Sequence, residues 1–315
     1  MISLRGGLGN QLFQLAYGLS LLSEKNKDFL LLENKIGSPK CSKNGNPELL
    51  ELKIPNNVKI INSNQTPFLL MKIMNFFIRQ SVTARNYDFN RRFKLLRILS
   101  AKLLSRLFDQ KSDLLVQNGV GFDENWLDTL NILYCVGYFQ SYKWSELANV
   151  KKSLLALSLN AESNWVEEMK SLAKNEKPLV VQVRLGDYLS EKKFGIPSVM
   201  YFDNAISYYW KTGNFKKIWI FTNDSNLVMN YLPHWVQEFS RIVFSPDSSS
   251  AEILEVMRYG KAFVISNSTF GWWGAYLNYD NCVNITCPEP WFKDQCEPRE
   301  LIPPNWRRIM GWERL

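Results

Sequence analysis

The sequence predicts an α/β protein whose second half forms a parallel, doubly wound sheet. In this half, short runs rich in β-branched residues alternate with helical segments, a pattern that is typical of parallel sheets. Polar residues follow the ends of these strands, as expected where such a sheet binds a ligand. With 315 residues the chain is long for one core, so we predict two domains, residues 1–160 and residues 161–315.

The composition is that of a globular protein, with 46% hydrophobic and 22% charged residues. A formal net charge of +8 predicts an anionic partner such as a nucleotide, a phospholipid or a nucleic acid. The five cysteines form no CxxC pair, which argues against a zinc ribbon or a disulfide framework and favours a reducing, cytosolic setting. His234 is the single histidine, so His-based triads and His-ligated metal sites are largely excluded. No signal peptide is expected, because Met1 leads directly to a glycine motif.

The first domain begins with a short strand that leads into the turn Gly6-Gly7-Leu8-Gly9. Asn10 is predicted to cap the helix that follows, whose apolar residues repeat at helical spacing. Such a turn brings backbone N–H groups and a helix N-terminus together, which is a favourable seat for an anion or a sugar. A tight turn without a ligand is the alternative. Residues 29–33 form a second predicted strand, and the polar stretch 35–67 is predicted to be a loop.

Residues 90–108 have the pattern of a basic amphipathic helix. Its leucines fall near one face, and its arginines and lysines carry the charge. The pattern predicts a membrane-surface element, and a domain helix with a solvated basic face fits it as well. Residues 132–136 form the next predicted strand, and a helix over residues 164–175 leads out of the first domain.

The second domain opens with the strand Leu179–Val183, whose β-branched residues suit a position buried on both faces of a sheet. Ser249 and Glu252 have the spacing of a capping box at the start of a later helix. The further predicted strands are residues 217–221, 241–244, 262–265 and 282–286, and helices are predicted at residues 199–211, after residue 225, and at residues 253–259 and 270–278.

Polar residues come directly after four of these strands. They are Arg184, Gly186 and Asp187, then Thr222, Asn223 and Asp224, then Asp247, and finally Ser266, Asn267, Ser268 and Thr269. Because the carboxyl ends of parallel strands share one edge of a sheet, these residues predict a binding site at that edge. Arg184 offers a fixed fork of donors that fits a phosphate in two-point contact. The alternatives are an Arg184 that lies in solvent and hydroxyls that only cap the next helix.

Five motifs, in this order, resemble those of the family 11 glycosyltransferases, which are α-1,2-fucosyltransferases that use GDP-fucose. The motifs are Gly6-Gly-Leu-Gly-Asn-Gln11, Gly137-Tyr-Phe-Gln140, Val183-Arg-Leu-Gly-Asp-Tyr188, Phe221-Thr-Asn-Asp224 and Ser266-Asn-Ser-Thr-Phe-Gly-Trp-Trp-Gly-Ala275. The resemblance runs from residue 2 to the segment Ile302-Pro-Pro-Asn-Trp306, with a divergent middle between about residues 35 and 130.

The resemblance implies a GT-B-like arrangement, in which two Rossmann-type domains with parallel sheets face a cleft. Residues 1–160 would be the acceptor-side domain, with the basic helical segment as an insert, and residues 161–315 would bind the GDP-sugar. The implied reaction moves L-fucose from GDP-β-L-fucose, with inversion, to the 2-hydroxyl of a terminal galactose on an oligosaccharide, lipid-linked or free. Bacterial surface polysaccharide synthesis is the implied setting. The basic amphipathic pattern of residues 90–108, rather than the resemblance, predicts peripheral contact at the inner face of the bacterial plasma membrane.

The same resemblance assigns roles to single residues. Arg184 would hold the β-phosphate of GDP, and Asn10 would line the cleft near the sugar and the acceptor. We expect catalytic contributions from Arg184, Asn10 and Asp187. Asp187 is the candidate base because its loop borders the cleft, and the alternative is that it braces Arg184. The residues expected to contact GDP-fucose are Gly7, Gln182, Arg184, Asn223, Asp224, Glu252, Ser266, Asn267, Ser268 and Thr269. No Asp-x-Asp motif follows a strand, so we expect no metal or other cofactor. The implied partners are GDP-fucose and the acceptor, and we expect no nucleic acid as a partner.

Two positions depart from the family pattern. Gln182 stands where the family usually has His, and Gln can form hydrogen bonds but cannot carry charge. Leu185 stands where Arg is common, which removes one basic contact. Glu252 is close to the acidic position that the family has before Ser266. The alternatives to fucosyl transfer are an enzyme of the same fold with a different sugar or linkage, and a non-catalytic basic protein that binds membranes or nucleic acid.

Overall fold

The chain divides into two compact units, each built around a parallel sheet. The first unit consists of Met1–Leu157 with Gln295–Ile302, and the second of Ser158–Asp294 with Pro303–Leu315. The division falls close to the predicted boundary at residue 160, but the return of Gln295–Ile302 to the first unit departs from a boundary drawn at a single point. The computed structural model describes residues 1–25, 29–34, 46–62, 113–116, 121–122, 132–191, 193–280 and 284–313.

The described part of the first unit contains five parallel strands. They are β1 (Ile2–Ser3), β2 (Leu30–Asn34), β3 (Val58–Asn62), β4 (Asp113–Val116) and β5 (Ile132–Val136), paired in the order β3-β2-β1-β5-β4. The long helix α1 (Leu8–Lys25) follows β1, and the short helices α2 (Tyr142–Ser145) and α3 (Ala148–Leu155) follow β5. Leu12, Phe13 and Ala16 are fully buried on α1, as their helical spacing predicts.

The polar stretch 35–67 is not a loop throughout, which corrects the prediction. A 3₁₀ helix spans Glu48–Glu51, and β3 pairs in parallel with β2 along its whole length. Val58 is buried in this strand, whereas Lys59 and Asn62 are exposed. An edge strand buries only part of its side chains, so its composition is too polar for the strand to be recognised by its apolar residues. The predicted basic helix at residues 90–108 lies outside the described residues and stays a prediction.

The described part of the second unit contains six parallel strands in the order β11-β10-β9-β6-β7-β8. The strands are β6 (Leu179–Val183), β7 (Ile218–Thr222), β8 (Ser240–Ile242), β9 (Ala262–Ile265), β10 (Ile285–Glu289) and β11 (Arg307–Met310). The helices are α4 (Asn164–Glu176), α5 (Asp187–Ser190), α6 (Val199–Thr212), α7 (Val236–Phe239), α8 (Ser250–Met257) and α9 (Thr269–Tyr276), and a 3₁₀ helix spans Val228–Tyr231. The predicted α/β class with two parallel sheets is confirmed.

Burial explains why the central strands of the second unit are recognisable in the sequence. All five residues of β6 are buried. Helix α6 packs on one face of the sheet, and apolar residues of the neighbouring strands, such as Trp219 of β7 and Phe263 of β9, are buried as well. A strand covered on both faces is apolar throughout and stands out as a continuous run. The sixth strand, β11, was not predicted, because it lies at the sheet edge and two of its four residues are exposed arginine and methionine, Arg307 and Met310.

Candidate functional site

The strand order of the second unit marks the sheet edge at which an open α/β sheet is expected to bind a ligand. From β6 the chain proceeds to β7 and β8 on one side of the sheet, and then returns to β9, β10 and β11 on the other side. Neighbouring strands whose connections lead in opposite directions leave a crevice at their carboxyl ends, and open α/β sheets bind ligands there. Arg184 follows β6 and Ser266 follows β9, and the two strands pair directly. The predicted site residues at these two strand ends therefore lie together.

A chain of hydrogen bonds connects Arg184, Ser266 and Gln182. The Arg184 backbone N–H donates to Ser266 Oγ (3.0 Å), and the Ser266 hydroxyl donates to Gln182 Oε1 (2.8 Å). Ser266 has a single proton to donate, so this chain also determines which end of the Gln182 amide faces Ser266. Gly271 packs closely against the same oxygen, since an added Cβ would lie 2.5 Å from it. Gln182 is therefore held in one orientation by Ser266, which follows β9, and by Gly271 of α9.

The Arg184 guanidinium is oriented by Asp187. Asp187 Oδ1 accepts from Arg184 Nε at 3.0 Å and from Arg184 Nη2 at 2.8 Å. Both side chains are partly exposed, 34% for Arg184 and 41% for Asp187, so the pair faces open space rather than the core. The guanidinium also lies over the Tyr188 ring, with 5.7 Å between Arg184 Cζ and the ring centroid. These contacts correspond to the bracing role that is the alternative for Asp187, and its role as a base stays a prediction.

The loop that carries Arg184 is braced from β7. Asn223 Oδ1 accepts from Leu185 N–H (2.8 Å), and Gly186 has a φ of +60° beside Asn223, where a Cβ would lie 2.4 Å from Nδ2. Only glycine adopts this conformation and fits this space without strain. Asp224 Oδ1 instead accepts from the backbone N–H groups of Asn226 and Leu227 (both 3.2 Å). The Asn223 side chain therefore braces the candidate site through a hydrogen bond with the backbone of Leu185. The Asp224 side chain stabilises its own turn.

Asn267 connects the loops around the crevice. Its backbone carbonyl accepts from the Tyr188 hydroxyl (3.1 Å), and its Nδ2 donates to the carbonyls of Phe194 (2.7 Å) and Gly195 (3.3 Å). Burial raises the pKa of Tyr188 to about 12, against the opposing effect of Arg184, so this hydroxyl stays neutral and can donate. Among the described residues Asn267 Oδ1 is buried without a hydrogen-bond partner.

Helix α9 begins directly after this segment. Ser268 is the N-cap of α9, and its side chain forms no capping hydrogen bond within the helix. Ser268 is buried and Thr269 is half-buried. An N-terminus whose cap side chain is not engaged has N–H groups and hydroxyls to offer to an anion.

Glu252 forms a reciprocal cap with Ser249 at the start of α8. Ser249 N–H donates to Glu252 Oε2 (2.9 Å), and Glu252 N–H donates to Ser249 Oγ (3.2 Å), which is the complete capping box that the sequence also predicts. The carboxylate of Glu252 is thus engaged at the start of α8. Its expected contact with GDP-fucose stays a prediction from the family resemblance.

A buried acidic residue nearby was missed by sequence reasoning. Glu255 accepts hydrogen bonds from Arg258 Nη1 (3.0 Å) and from the Tyr279 hydroxyl (2.7 Å), and it pairs with Lys170 Nζ (3.1 Å). Burial works against the charged form of Lys170, but hydrogen bonds with Glu162 and Glu255 outweigh it and raise its pKa. A buried acid that faces two cations and a hydroxyl connects α8 to α4, and it belongs to the core rather than to the strand ends.

The glycine turn of the first unit is held by side-chain amides. Gly6 has a φ of +72°, and an added Cβ would lie 2.4 Å from Asn10 Nδ2. Gln140 Nε2 donates to Asn10 Oδ1 (2.8 Å), and Gln11 Nε2 donates to Gly6 O (2.9 Å). Asn10 is not the helix cap, which corrects the prediction: α1 already begins at Leu8, and Asn10 lies in its first turn. Its amide is engaged by Gln140 instead of by backbone N–H groups.

The helix N-terminus at this turn is already in contact with a carboxylate. Leu8 N–H donates to Glu48 Oε2, from a residue 40 positions further along the chain. The turn was predicted as a seat for an anion or a sugar, and Glu48 places a negative charge of the protein there. Sequence reasoning missed Glu48, because it lies in the polar stretch that was predicted to be a loop, and no spacing rule connects it to the glycine motif.

No group of three or more His, Cys, Asp and Glu side chains among the described residues is placed to hold a metal ion. No helix in the described part of the chain is long and apolar enough to cross a membrane.

Two α/β units with parallel sheets, the second with an arginine at its switch point, define a GT-B-like protein. The chain belongs to glycosyl transferase family 11, whose model matches residues 127–310. This confirms the family to which the sequence motifs pointed. It also makes the protein a glycosyltransferase.

The relatives agree with this family. The chain is 25% identical to an alpha-1,2-colitosyltransferase of Escherichia coli over 312 residues, which are 97% of either chain. It is 28% identical over 131 residues to the O-antigen biosynthesis glycosyltransferase WbnK of Escherichia coli, covering 39% of this chain and 42% of that protein. More distant solved structures include the NodZ alpha-1,6-fucosyltransferase soaked with GDP-fucose, 14% identical over 87% of this chain and 90% of that chain with a TM-score of 0.44.

Proposed function

We propose that the protein is an inverting α-1,2-fucosyltransferase that moves L-fucose from GDP-β-L-fucose to the 2-hydroxyl of a terminal galactose. The observation that carries the proposal is Arg184 at the switch point between β6 and β9, with its guanidinium oriented by Asp187. An oriented guanidinium in such a crevice suits two-point contact with a diphosphate. The names of the Escherichia coli relatives support an α-1,2 linkage and a role in surface polysaccharide synthesis.

The chemical demand of the reaction matches the groups at this edge of the sheet. An inverting transfer is a single displacement, in which the acceptor oxygen attacks the anomeric carbon and the bond to the phosphate oxygen breaks. Negative charge then develops on the leaving GDP. Arg184 and the N-terminus of α9, with the hydroxyls of Ser268 and Thr269, would stabilise that charge by fixed hydrogen bonds.

Asp187 takes a positioning role in this proposal. Its Oδ1 accepts from two nitrogens of Arg184, and protonation of Asp187 would weaken that pair at the moment when the guanidinium is needed. Gln182 and Ser266 act in the same way on the backbone of Arg184, because their hydrogen bonds set the position of its N–H. These residues would hold the phosphate-binding arginine rather than exchange protons with the substrate.

Transfer of colitose is the second candidate function. It is supported by the relative of matching length, which is named as a colitosyltransferase. Colitose is L-fucose without its 3-hydroxyl, so the two donors differ by a single group. A site that hydrogen-bonds a substrate hydroxyl strongly rejects the analogue without it, whereas an apolar pocket discriminates weakly. Donor competition therefore separates the two candidates.

The test is a comparison of nucleotides followed by a comparison of donors. GDP at about 100 times its dissociation constant should stabilise the protein by about 2.7 kcal/mol, which raises the melting temperature by several degrees. UDP and ADP should not raise it, and equal shifts with UDP would remove the GDP assignment. GDP release is then measured with GDP-fucose and with GDP-colitose, each with a panel of galactose-terminated oligosaccharides. Faster release from GDP-colitose would replace fucose by colitose as the transferred sugar.

A further inference from the structure

Two residues of its own loop restrict the Arg184 guanidinium in different ways. Asp187 Oδ1 accepts from Nε (3.0 Å) and from Nη2 (2.8 Å), and so engages one edge of the group. The guanidinium lies over the Tyr188 ring, and the 5.7 Å between Arg184 Cζ and the ring centroid is within the range of a cation–π contact. The ion pair fixes the edge, and the ring limits rotation of the guanidinium plane about that edge. The end formed by Nη1 and Nη2 is then the part that would meet a phosphate in two-point contact.

The Tyr188 ring is itself held by residues beyond α5. Its hydroxyl donates to the Asn267 carbonyl (3.1 Å), and the Phe194 ring stacks on it with 5.0 Å between the ring centroids and an angle of 30° between the planes. The Phe194 ring also contacts the Phe292 ring, with 5.3 Å between their centroids. The Phe194 carbonyl accepts from Asn267 Nδ2 (2.7 Å). The ring that supports the guanidinium is therefore fixed both at its hydroxyl and by a stacked neighbour.

Asn267 connects Tyr188 to the segment that leads into α9. Asn267 follows Ser266, whose Oγ accepts from Arg184 N–H (3.0 Å). It precedes Ser268, the N-cap of α9. The bond from the Tyr188 hydroxyl to the Asn267 carbonyl therefore ties the support of the guanidinium to the start of that helix. Under the proposed function Arg184 and the N-terminus of α9 contact one diphosphate, and a displacement of about 1 Å in such a group costs about 10²-fold in rate.

We propose that Tyr188 is a positioning residue for Arg184, an inference that rests on the proposed function. Its ring sets the plane of the guanidinium, and its hydrogen bond with Asn267 sets the position of that plane relative to the N-terminus of α9. Tyr188 exchanges no proton with the substrate. Burial raises its pKa to about 12, so the hydroxyl keeps its proton and donates at neutral pH. Because the charge on the leaving phosphate grows as the sugar bond breaks, a misplaced guanidinium lowers kcat more than it weakens the binding of GDP.

The test compares Tyr188→Phe with Tyr201→Phe, a matched control. Tyr201 is buried on α6, and its hydroxyl donates to the carbonyl of Ile265, the last residue of β9 (2.6 Å). Both variants remove a tyrosine hydroxyl that donates to a backbone carbonyl at this end of β9, and of the two tyrosines Tyr188 is the one that contacts Arg184. We expect kcat at saturating substrates to fall by about 3- to 10-fold in Tyr188→Phe, as the loss of one hydrogen bond does, and to stay near that of the wild type in Tyr201→Phe. In Tyr188→Phe the dissociation constant of GDP should rise by a smaller factor than kcat falls.

A double-mutant cycle separates positioning from a general structural role. Arg184→Lys removes the fork that Tyr188 positions, so adding Tyr188→Phe to it should lower kcat by less than about 2-fold further. A general structural role predicts independent effects, with the full loss of about 3- to 10-fold in the Arg184→Lys background as well. Tyr188→Leu removes the ring together with the hydroxyl, and it should lower kcat of the otherwise unchanged protein by about 10- to 100-fold. Tyr188→Phe carries the test if the Leu variant does not fold.

The outcomes separate this inference from the function on which it rests. A folded Tyr188→Phe with the kcat of Tyr201→Phe would overturn the role of Tyr188. Equal losses from Tyr188→Phe in both backgrounds of the cycle would overturn it as well. Either result leaves the proposed function in place, because the wild type still transfers the sugar in the same assay. A wild-type protein that releases no GDP from any donor with any galactoside would remove both.

Discussion

Arg184 owes its position to residues on three different strand ends. Its backbone N–H is held by Ser266 after β9, the next residue is held by Asn223 after β7, and its guanidinium is held by Asp187 of its own loop. A side chain placed in this way loses little conformational entropy when it binds a phosphate. The same three contacts make the geometry of Arg184 sensitive to changes at Ser266, Asn223 and Asp187.

Replacement of Arg184 by Lys should lower turnover by about 10²–10³, as removal of a single oxyanion donor does. Lys keeps the charge but loses the two-point fork, and the charge on the leaving phosphate grows only as the sugar bond breaks. The effect on kcat is measured by steady-state release of GDP, and Arg184→Ala should be at least as severe. Arg241→Lys is the control, because Arg241 lies on the edge strand β8 of the same unit and pairs with Glu176 at the end of α4. Near-normal turnover in a folded Arg184→Ala would show that the phosphate binds elsewhere.

Tyr188 should make the folded protein sensitive to high pH. Burial raises its pKa from 10.0 to about 12, so between these values the unfolded chain loses this proton first. Its contribution to stability is complete below about pH 10 and is lost as the pH rises toward 12. We expect the free energy of unfolding to fall over this interval by about 2 kcal/mol more in the wild type than in Tyr188→Phe.

Urea unfolding at pH 9 and pH 11.5 measures this difference. Tyr208→Phe is the control, because Tyr208 is 49% exposed and lies on the outer part of α6. An equal loss of stability in the wild type and in Tyr188→Phe would mean that the Tyr188 hydroxyl is not the buried group that the structure indicates.

At the scale of the elements, two helix starts in the second unit differ in a way that matters for binding. Helix α8 has a complete capping box, in which Ser249 and Glu252 satisfy each other. Helix α9 has Ser268 at its N-cap without a capping hydrogen bond from that side chain. A capped helix start is stable and has fewer N–H groups to offer, whereas an uncapped one can bind an anion. Under the proposed function, the difference favours α9 over α8 as the helix that would contact the diphosphate.

Replacement of Glu252 by Ala tests this distinction. Loss of the reciprocal cap should lower the free energy of unfolding by about 1 kcal/mol and leave the rise in melting temperature with GDP unchanged. Thermal melts with and without GDP measure both quantities. Glu238→Ala is the control, because Glu238 is an exposed acidic residue in the first turn of α7. Loss of the GDP effect in Glu252→Ala alone would instead make Glu252 a nucleotide contact, as the family resemblance implies.

At the scale of the whole molecule, the proposed reaction relies on groups of the chain itself. Arg184 and the N-terminus of α9 would provide the positive charge that stabilises the leaving GDP. We therefore expect GDP release to persist in excess EDTA at a rate close to that of the untreated protein. The measurement is steady-state turnover before chelation, after chelation, and after addition of Mg²⁺ or Mn²⁺. Activity that EDTA abolishes and either ion restores would contradict a metal-independent reaction.

Much of this organisation could be predicted from local patterns. The strands β6, β7 and β9 were recognised because they are buried on both faces and therefore apolar throughout. The proximity of Arg184 and Ser266 followed from the rule that parallel strands end at one edge. The edge strands β3 and β11 were missed, because partial burial leaves polar residues in them.

The sequence by itself determined the α/β class, the family and the strand ends that carry the candidate site, because apolar periodicity and motif order are properties of neighbouring residues. Only the tertiary structure decided how single side chains are used. It paired Asp187 with Arg184, engaged Glu252 in a cap and brought Glu48 to the glycine turn. The contact of Glu48 with Leu8 joins residues 40 positions apart, and that of Gln140 with Asn10 joins residues 130 positions apart. Such contacts depend on how whole elements pack, and no local spacing encodes them.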